Sequence, residues 1–125
     1  MKVNEMRIGN WYDENGATKQ VNPNTIEAVW VAERIWCKPI PLTEEWLLKF
    51  GFEIDGFWAH KTKKISPKKL LGYMNGGNIF ICQIGEHIRF QEVFLCNCQY
   101  VHQLQNLYFA LTSEELEILN IKTKN

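Results

Sequence analysis

The sequence predicts an α+β domain: a small, strongly bent antiparallel sheet, made of an N-terminal β-meander and a later hairpin, with two main helices. Three observations predict it. Short apolar segments are punctuated by Asn15-Gly16, Asn22-Pro23 and Gly76-Gly77, as short strands joined by tight turns require. Two other segments carry helix signals, one around Thr43 and one after Tyr100. The chain has 125 residues, 46% hydrophobic and 22% charged, a mix that excludes a disordered chain, a coiled coil and a collagen-like repeat. A chain this long holds one core without disulfides or metal, so 1–125 reads as a single domain, with 1–40 as the meander and 41–125 as the α+β part of the same core.

The elements follow in order. Residues 6–12 read as a first strand, and Asn15-Gly16, which tolerates positive φ, turns it back into 18–21. Asn22-Pro23-Asn24 reads as a second turn. Residues 25–32 alternate, with Ile26, Ala28 and Trp30 on one face, and read as a strand. Residues 35–40 are extended, because Pro39 and Pro41 exclude helix.

Residues 43–50 form the first helix. Thr43 caps it, Glu44 and Glu45 meet the positive end of its dipole, and Leu42 with Leu47 makes a hydrophobic staple. Gly51 supplies a left-handed stop. Residues 52–60 read as a strand broken at Asp55-Gly56, and 61–64 as a basic loop. Ser66-Pro67 opens a brief helix reaching Tyr73. After the breaker at 75–77, residues 78–84 and 87–94 form a hairpin about Gly85-Glu86, a II′ pattern, and 95–98 extend that sheet. Residues 100–111 form the second helix: Val101, Leu104, Leu107, Tyr108 and Leu111 make its apolar stripe, and His102, Gln105, Asn106 and Phe109 an adjacent, mostly polar one. Thr112-Ser113-Glu114-Glu115 predicts a further helical turn over 113–116, and 117–121 an edge strand before a frayed end.

Fourteen basic residues balance fourteen acidic ones, which argues against nucleic-acid binding by bulk electrostatics. Met1 to Glu5 shows no apolar signal region and no run approaches a membrane span, so a cytoplasmic chain is expected. Cys37, Cys82, Cys96 and Cys98 are then thiols rather than disulfides. Cys96, Cys98 and His102, with Cys82 and His87 on the preceding hairpin, are of zinc-ligating type. However, zinc sites usually show Cys-x2-Cys loops and not Cys-x-Cys, so they read as packing thiols and no metal is assigned. Cys98 and His102 have no residue placed to orient the imidazole, and no acid–base pair stands at a convincing spacing, so no catalytic residue and no cofactor is assigned. The run 75–78 offers backbone N–H groups but no Lys-Ser/Thr, so it reads as a plain turn and not as a P-loop.

Aromatic content carries the most information. Trp11, Tyr12, Trp30, Trp36, Trp46, Phe57 and Trp58 are many for one core, and the adjacent pairs Trp11-Tyr12 and Phe57-Trp58 fall on predicted strands, where one member of each faces outward. Outward rings suit stacking on a base or packing on a protein partner. Lys61, Lys63, Lys64, Lys68 and Lys69 form a local basic cluster.

Three segments carry a resemblance: 4–10 (Asn-Glu-Met-Arg-Ile-Gly-Asn), 39–52 (Pro-Ile-Pro-Leu-Thr-Glu-Glu-Trp-Leu-Leu-Lys-Phe-Gly-Phe) and 100–112 (Tyr-Val-His-Gln-Leu-Gln-Asn-Leu-Tyr-Phe-Ala-Leu-Thr). They resemble a family of short, uncharacterised proteins of Bacteroides-type phages, prophages and mobile elements. The family pattern has Leu at the position of Met6 and Gly at that of Ser113. The resemblance implies a phage accessory protein in the host bacterial cytoplasm. The expectation is a non-enzymatic protein that binds a small nucleotide-like ligand and sequesters a host antiviral signal. Trp58 and Trp11 would stack, Arg89 and Lys61 would meet phosphate, and His102, Gln105 and Asn106 would supply polar contacts. A site for a multiply charged ligand shared between subunits makes a homo-oligomer the expected form. The alternatives are an interaction module acting on a host protein and a nucleic-acid-binding module.

Overall fold

The computed structural model describes residues 5–32, 37–54, 61–66, 69–74, 76–84 and 90–118. It is an α+β structure with two antiparallel sheets and three helices. The chain gathers into two compact units, one formed by Met1–Pro41 with Tyr100–Leu116 and the other by Leu42–Gln99 with Glu117–Asn125. Among the described residues no helix is long and apolar enough to cross a membrane.

The first unit begins with a turn, where the sequence suggested a strand. Asn10 donates its N–H to the Arg7 carbonyl at 3.0 Å, and its side-chain oxygen accepts from the Arg7 N–H at 2.7 Å. Gly9, inside this turn, has φ +98°, which an extended strand does not allow. Strand β1 (Trp11–Glu14) therefore starts five residues later than expected and pairs with β2 (Ala17–Gln20) from Trp11↔Gln20 to Glu14↔Ala17. The two residues between them, Asn15 (φ 52°) and Gly16 (φ 89°), are both left-handed, as the type I′ hairpin demands. Asp13 and Lys38 exchange both backbone hydrogen bonds, adding a bridge beside the hairpin.

Residues 25–32 are not a strand. They belong to helix α1 (Pro23–Ala32). The side-chain oxygen of Asn22 accepts the Thr25 N–H at 3.0 Å, and Pro23 takes the first helical position, where its missing N–H costs nothing. Asn-Pro is here a helix start, not a turn between strands. The N-terminal block is thus a hairpin plus a helix. Met6, Tyr12, Val21 and Cys37 form its core, with Ile26 of α1 packed against them.

The second unit opens with helix α2 (Glu44–Lys49), capped by Thr43 as expected. Its end is a Schellman arrangement: Phe52 N–H reaches the Leu47 carbonyl at 3.0 Å, Gly51 N–H the Leu48 carbonyl at 3.0 Å, and Gly51 has φ +90°. Trp46, Leu47, Phe50 and Phe52 are buried. A five-stranded antiparallel meander follows in sequence order: β3 (Glu53–Ile54), β4 (Lys61–Ser66), β5 (Lys69–Met74), β6 (Asn78–Ile84) and β7 (Phe90–Asn97). Two expectations fail here. The basic loop at 61–64 is strand β4, and the brief helix after Ser66-Pro67 is strand β5. Pairing explains both, because Lys61↔Tyr73 through Lys64↔Leu70 and Lys69↔Gln83 through Met74↔Asn78 tie β5 between two neighbours. A ladder on each side outweighs local propensity. The expected hairpin is present as β6 and β7, with β7 described over Phe90–Asn97, and residues 85–89, with the predicted Gly85-Glu86 turn, lie outside the described residues. The strand break at Asp55-Gly56 lies outside them too.

Helix α3 (Val101–Thr112) returns the chain to the first unit, where the Ile40 carbonyl accepts the Val101 N–H at 2.8 Å. Val101, Leu104 and Tyr108 are buried as the period predicted, while Leu111 is exposed. No helical turn follows. Ser113 is left-handed, with φ 63°, and its N–H closes on the Phe109 carbonyl, so it ends α3 instead of starting a new turn. Glu117 and Ile118 are not in a strand, and the remainder of the predicted edge strand lies outside the described residues.

Candidate functional site

The expected ligand-contacting residues belong to different units. Trp11, His102, Gln105 and Asn106 belong to the first unit, and Lys61 to the second. Trp58 and Arg89 lie outside the described residues.

The polar stripe of α3 faces the chain's own N-terminal segment. Gln105, nearly fully buried, accepts from the Trp11 N–H at 2.9 Å and donates to the Gly9 carbonyl at 3.0 Å. The Asn106 oxygen accepts from Arg7 Nη1 and from Asn10 Nδ2, each at 2.9 Å, and its nitrogen donates to the Glu5 carbonyl at 3.1 Å. Arg7 also pairs with Glu115 and lies 4.1 Å from the centre of the Phe109 ring. His102 Nε2 meets Glu5 Oε1 at 3.1 Å, while its Nδ1 is buried without a partner. Burial holds the His102 pKa below the ordinary imidazole range, against the pull of Glu5. A neutral ring that donates from Nε2 leaves Nδ1 as a bare acceptor, the less costly orphan. These three side chains fasten residues 5–11 to α3, and their hydrogen bonds are engaged in doing so. Amphipathic periodicity misses this, because a polar stripe normally means solvent.

Lys61 is 1% exposed, and its ammonium sits 3.0 Å from Glu44 Oε1. A buried cation already facing a carboxylate has little to offer an incoming phosphate. Its neighbours on β4 are better placed. Pairing of β3 with β4 stops at Glu53↔Thr62, where the preceding chain turns away into the end of α2. An open-sided cleft of about 360 Å³ lies there, lined by Gly51, Glu53, Thr62, Lys63, Lys64 and Leu70. Two lysines against one glutamate give the lining a net charge of +1. Desolvation lowers the Lys63 pKa, with Glu53 opposing the shift. The basic run was visible in the sequence. Which of its lysines line a cleft depends on where β3 stops, which no local signal gives.

The Gly77 N–H is not offered to an anion, because it donates to the Met74 carbonyl at 3.1 Å. Cys37, Cys82 and Cys98 are buried thiols, and Cys96 is half-buried. Cys96 lies on β7 and Cys98 just beyond its end, and their two sulfurs are 3.8 Å apart. Among the described residues no group of three or more His, Cys, Asp or Glu side chains gathers as metal ligands would. Of the paired aromatics, Tyr12 is buried and Trp11 half-buried, while Phe57 and Trp58 lie outside the described residues. Comparison with protein-family models, with curated proteins and with solved structures finds no match to this chain.

Proposed function

We propose that this chain is a non-enzymatic phage accessory protein that binds a small, phosphate-bearing, nucleotide-like ligand and so sequesters a host antiviral signal. The observation that carries the reading is the cleft beside β4, which Lys63, Lys64 and Thr62 line together with the half-buried Leu70. Lysine ammoniums and a hydroxyl suit phosphate oxygens, and the leucine offers a base or sugar an apolar wall. The cation role first expected of Lys61 passes to Lys63 and Lys64. At about 360 Å³ the cleft holds only part of a multiply charged ligand, which favours a site completed by a second copy of the chain.

Thermal melting against a panel of cyclic mono- and dinucleotides tests this. A true ligand at about a hundred times its Kd stabilises the fold by roughly 2.7 kcal/mol, a clear rise in Tm. A Tm unmoved by every nucleotide at large excess argues against the reading.

A second reading, an interaction module acting on a host protein, is favoured by a separate observation. Val93 and Phe94 are each 56% exposed on β7, the last strand of the meander. Exposed apolar residues on a terminal strand suit pairing with another chain. Loss of a stoichiometric complex on Phe94→Ser, with nucleotide response absent in the wild type, selects this reading over the first.

A further inference from the structure

The cysteine pair at the end of β7 has no part in the cleft reading and stands on its own geometry. Residues i and i+2 of a regular strand point to the same face, with their Cα atoms about 6.6 Å apart. Here β7 ends at Asn97, and the Cys98 N–H turns to the Gly77 carbonyl at 2.8 Å. That turn brings Cys98 Sγ to 3.8 Å from Cys96 Sγ. Glycine is required opposite: a Cβ on Gly77, at φ +89°, would stand 2.6 Å from the Cys98 carbonyl oxygen. Asn97, between the two cysteines, is fixed by hydrogen bonds to the Gly76 carbonyl and to the Asn78 side chain at 2.9 Å. The two thiols are therefore held together by the backbone of the β5–β6 turn.

We propose that Cys96 and Cys98 form a two-thiol site that closes to an intrachain disulfide by exchange with a small-molecule disulfide such as oxidised glutathione. The half-buried Cys96 is the sulfur that an external disulfide reaches, while Cys98 is 2% exposed. The Cys96 thiolate attacks one sulfur of the external disulfide. The external S–S bond breaks, and one glutathione leaves as thiolate. Cys98 then gives its proton to solvent and attacks Cys96 Sγ, expelling the second glutathione. Two protein thiols are oxidised and one external disulfide is reduced to two thiols. Burial, and secondarily the neighbouring Cys96, push the Cys98 thiol up to about 12, which suits a second-step thiol that stays protonated until a partner is bound beside it. The bond requires the sulfurs to approach from 3.8 Å to about 2.05 Å with one residue between them, so the ring is strained and readily reduced again.

The test uses the full chain, oxidised glutathione, intact mass and a peptide map. The wild type should lose two hydrogens, retain no glutathione, and show one link joining 96 to 98. Cys98→Ser should stop with one glutathione on residue 96, and Cys96→Ser should form neither the link nor a lasting adduct at 98. Before oxidation, alkylation should mark Cys96 at least about tenfold faster than Cys98. Four thiols unchanged under oxidation, a wild type that keeps its adduct, or a link from either residue to Cys37 or Cys82 would overturn the proposal. The alkylation rates are measured on reduced wild type, so they report even if a serine variant fails to fold.

Discussion

The side-chain oxygen of Gln105 accepts the backbone N–H of Trp11 at 2.9 Å. From the same amide, the nitrogen donates to the Gly9 carbonyl at 3.0 Å. One buried side chain thus completes the backbone hydrogen bonding of a segment that is not regular strand. Truncating it removes the buried acceptor of the Trp11 N–H, while the Gly9 carbonyl keeps its bond from Gln20 Nε2 at 3.0 Å. Gln105→Ala should cost about 2–3 kcal/mol in chemical denaturation, far more than an exposed Gln on a helix would. A loss under about 0.5 kcal/mol would mean that water reaches these groups.

Ser113 ends α3 with φ 63°, a conformation that carries a steric cost for any residue with a Cβ. Ser113→Gly should therefore stabilise the protein by about 1 kcal/mol and raise its Tm, even though it removes atoms. A fall in Tm would show that the serine hydroxyl contributes more than the strain costs.

Lys61 and Glu44 form an asymmetric pair, one ammonium 2% exposed and one carboxylate 59% exposed. Removing the acid takes this carboxylate from a buried charge, whereas removing the base leaves a carboxylate that is solvated. Glu44→Gln should cost about 1–2 kcal/mol, less than a fully buried pair because water screens the carboxylate. Lys61→Met, which keeps the apolar stem, should stay within about 1 kcal/mol of wild type. The reverse order in urea melts would show that the ion pair itself, and not the burial of Lys61, dominates.

His102 sets a pH dependence. Its folded-state pKa lies below the unfolded value, chiefly through burial. The folded protein therefore binds the proton less well than the unfolded chain. Stability from this group is complete above the ordinary imidazole pKa of about 6.5 and falls as pH drops through that value toward the folded pKa. Urea midpoints should decline between about pH 7.5 and about pH 5, and His102→Gln should remove most of that slope. An unchanged slope in the variant would assign the titration to another group.

Much of the fold was legible where a local motif decides the structure. Thr43, the glutamates behind it and Gly51 specify α2 from cap to stop, and Asn15-Gly16 specifies its hairpin. The reading failed where long-range pairing decides. Residues 69–74 look helical beside Pro67, yet a strand on each side makes them β5. Residues 26–31 are nearly all apolar and satisfy both the strand and the helix period, so only the Asn22 cap separates the two. The polar stripe of α3 was found, but its partner was not: residues 5–11 meet it from about a hundred positions away, a distance of 96 for Gln105 and Gly9. The basic run at 61–64 was found too. That Lys61 turns inward to Glu44 while Lys63 and Lys64 line a cleft follows from how β4 is paired, which only the assembled sheet reveals.

The central claim is that the cleft beside β4 holds a phosphate-bearing ligand. Its most direct test is a residue-by-residue NMR titration of isotope-labelled protein with cyclic mono- and dinucleotides. The account predicts saturable shifts concentrated at Gly51, Thr62, Lys63, Lys64 and Leu70, abolished in a folded Lys63→Ser/Lys64→Ser protein. Saturable binding that leaves those resonances still, or that survives the double substitution, would contradict it.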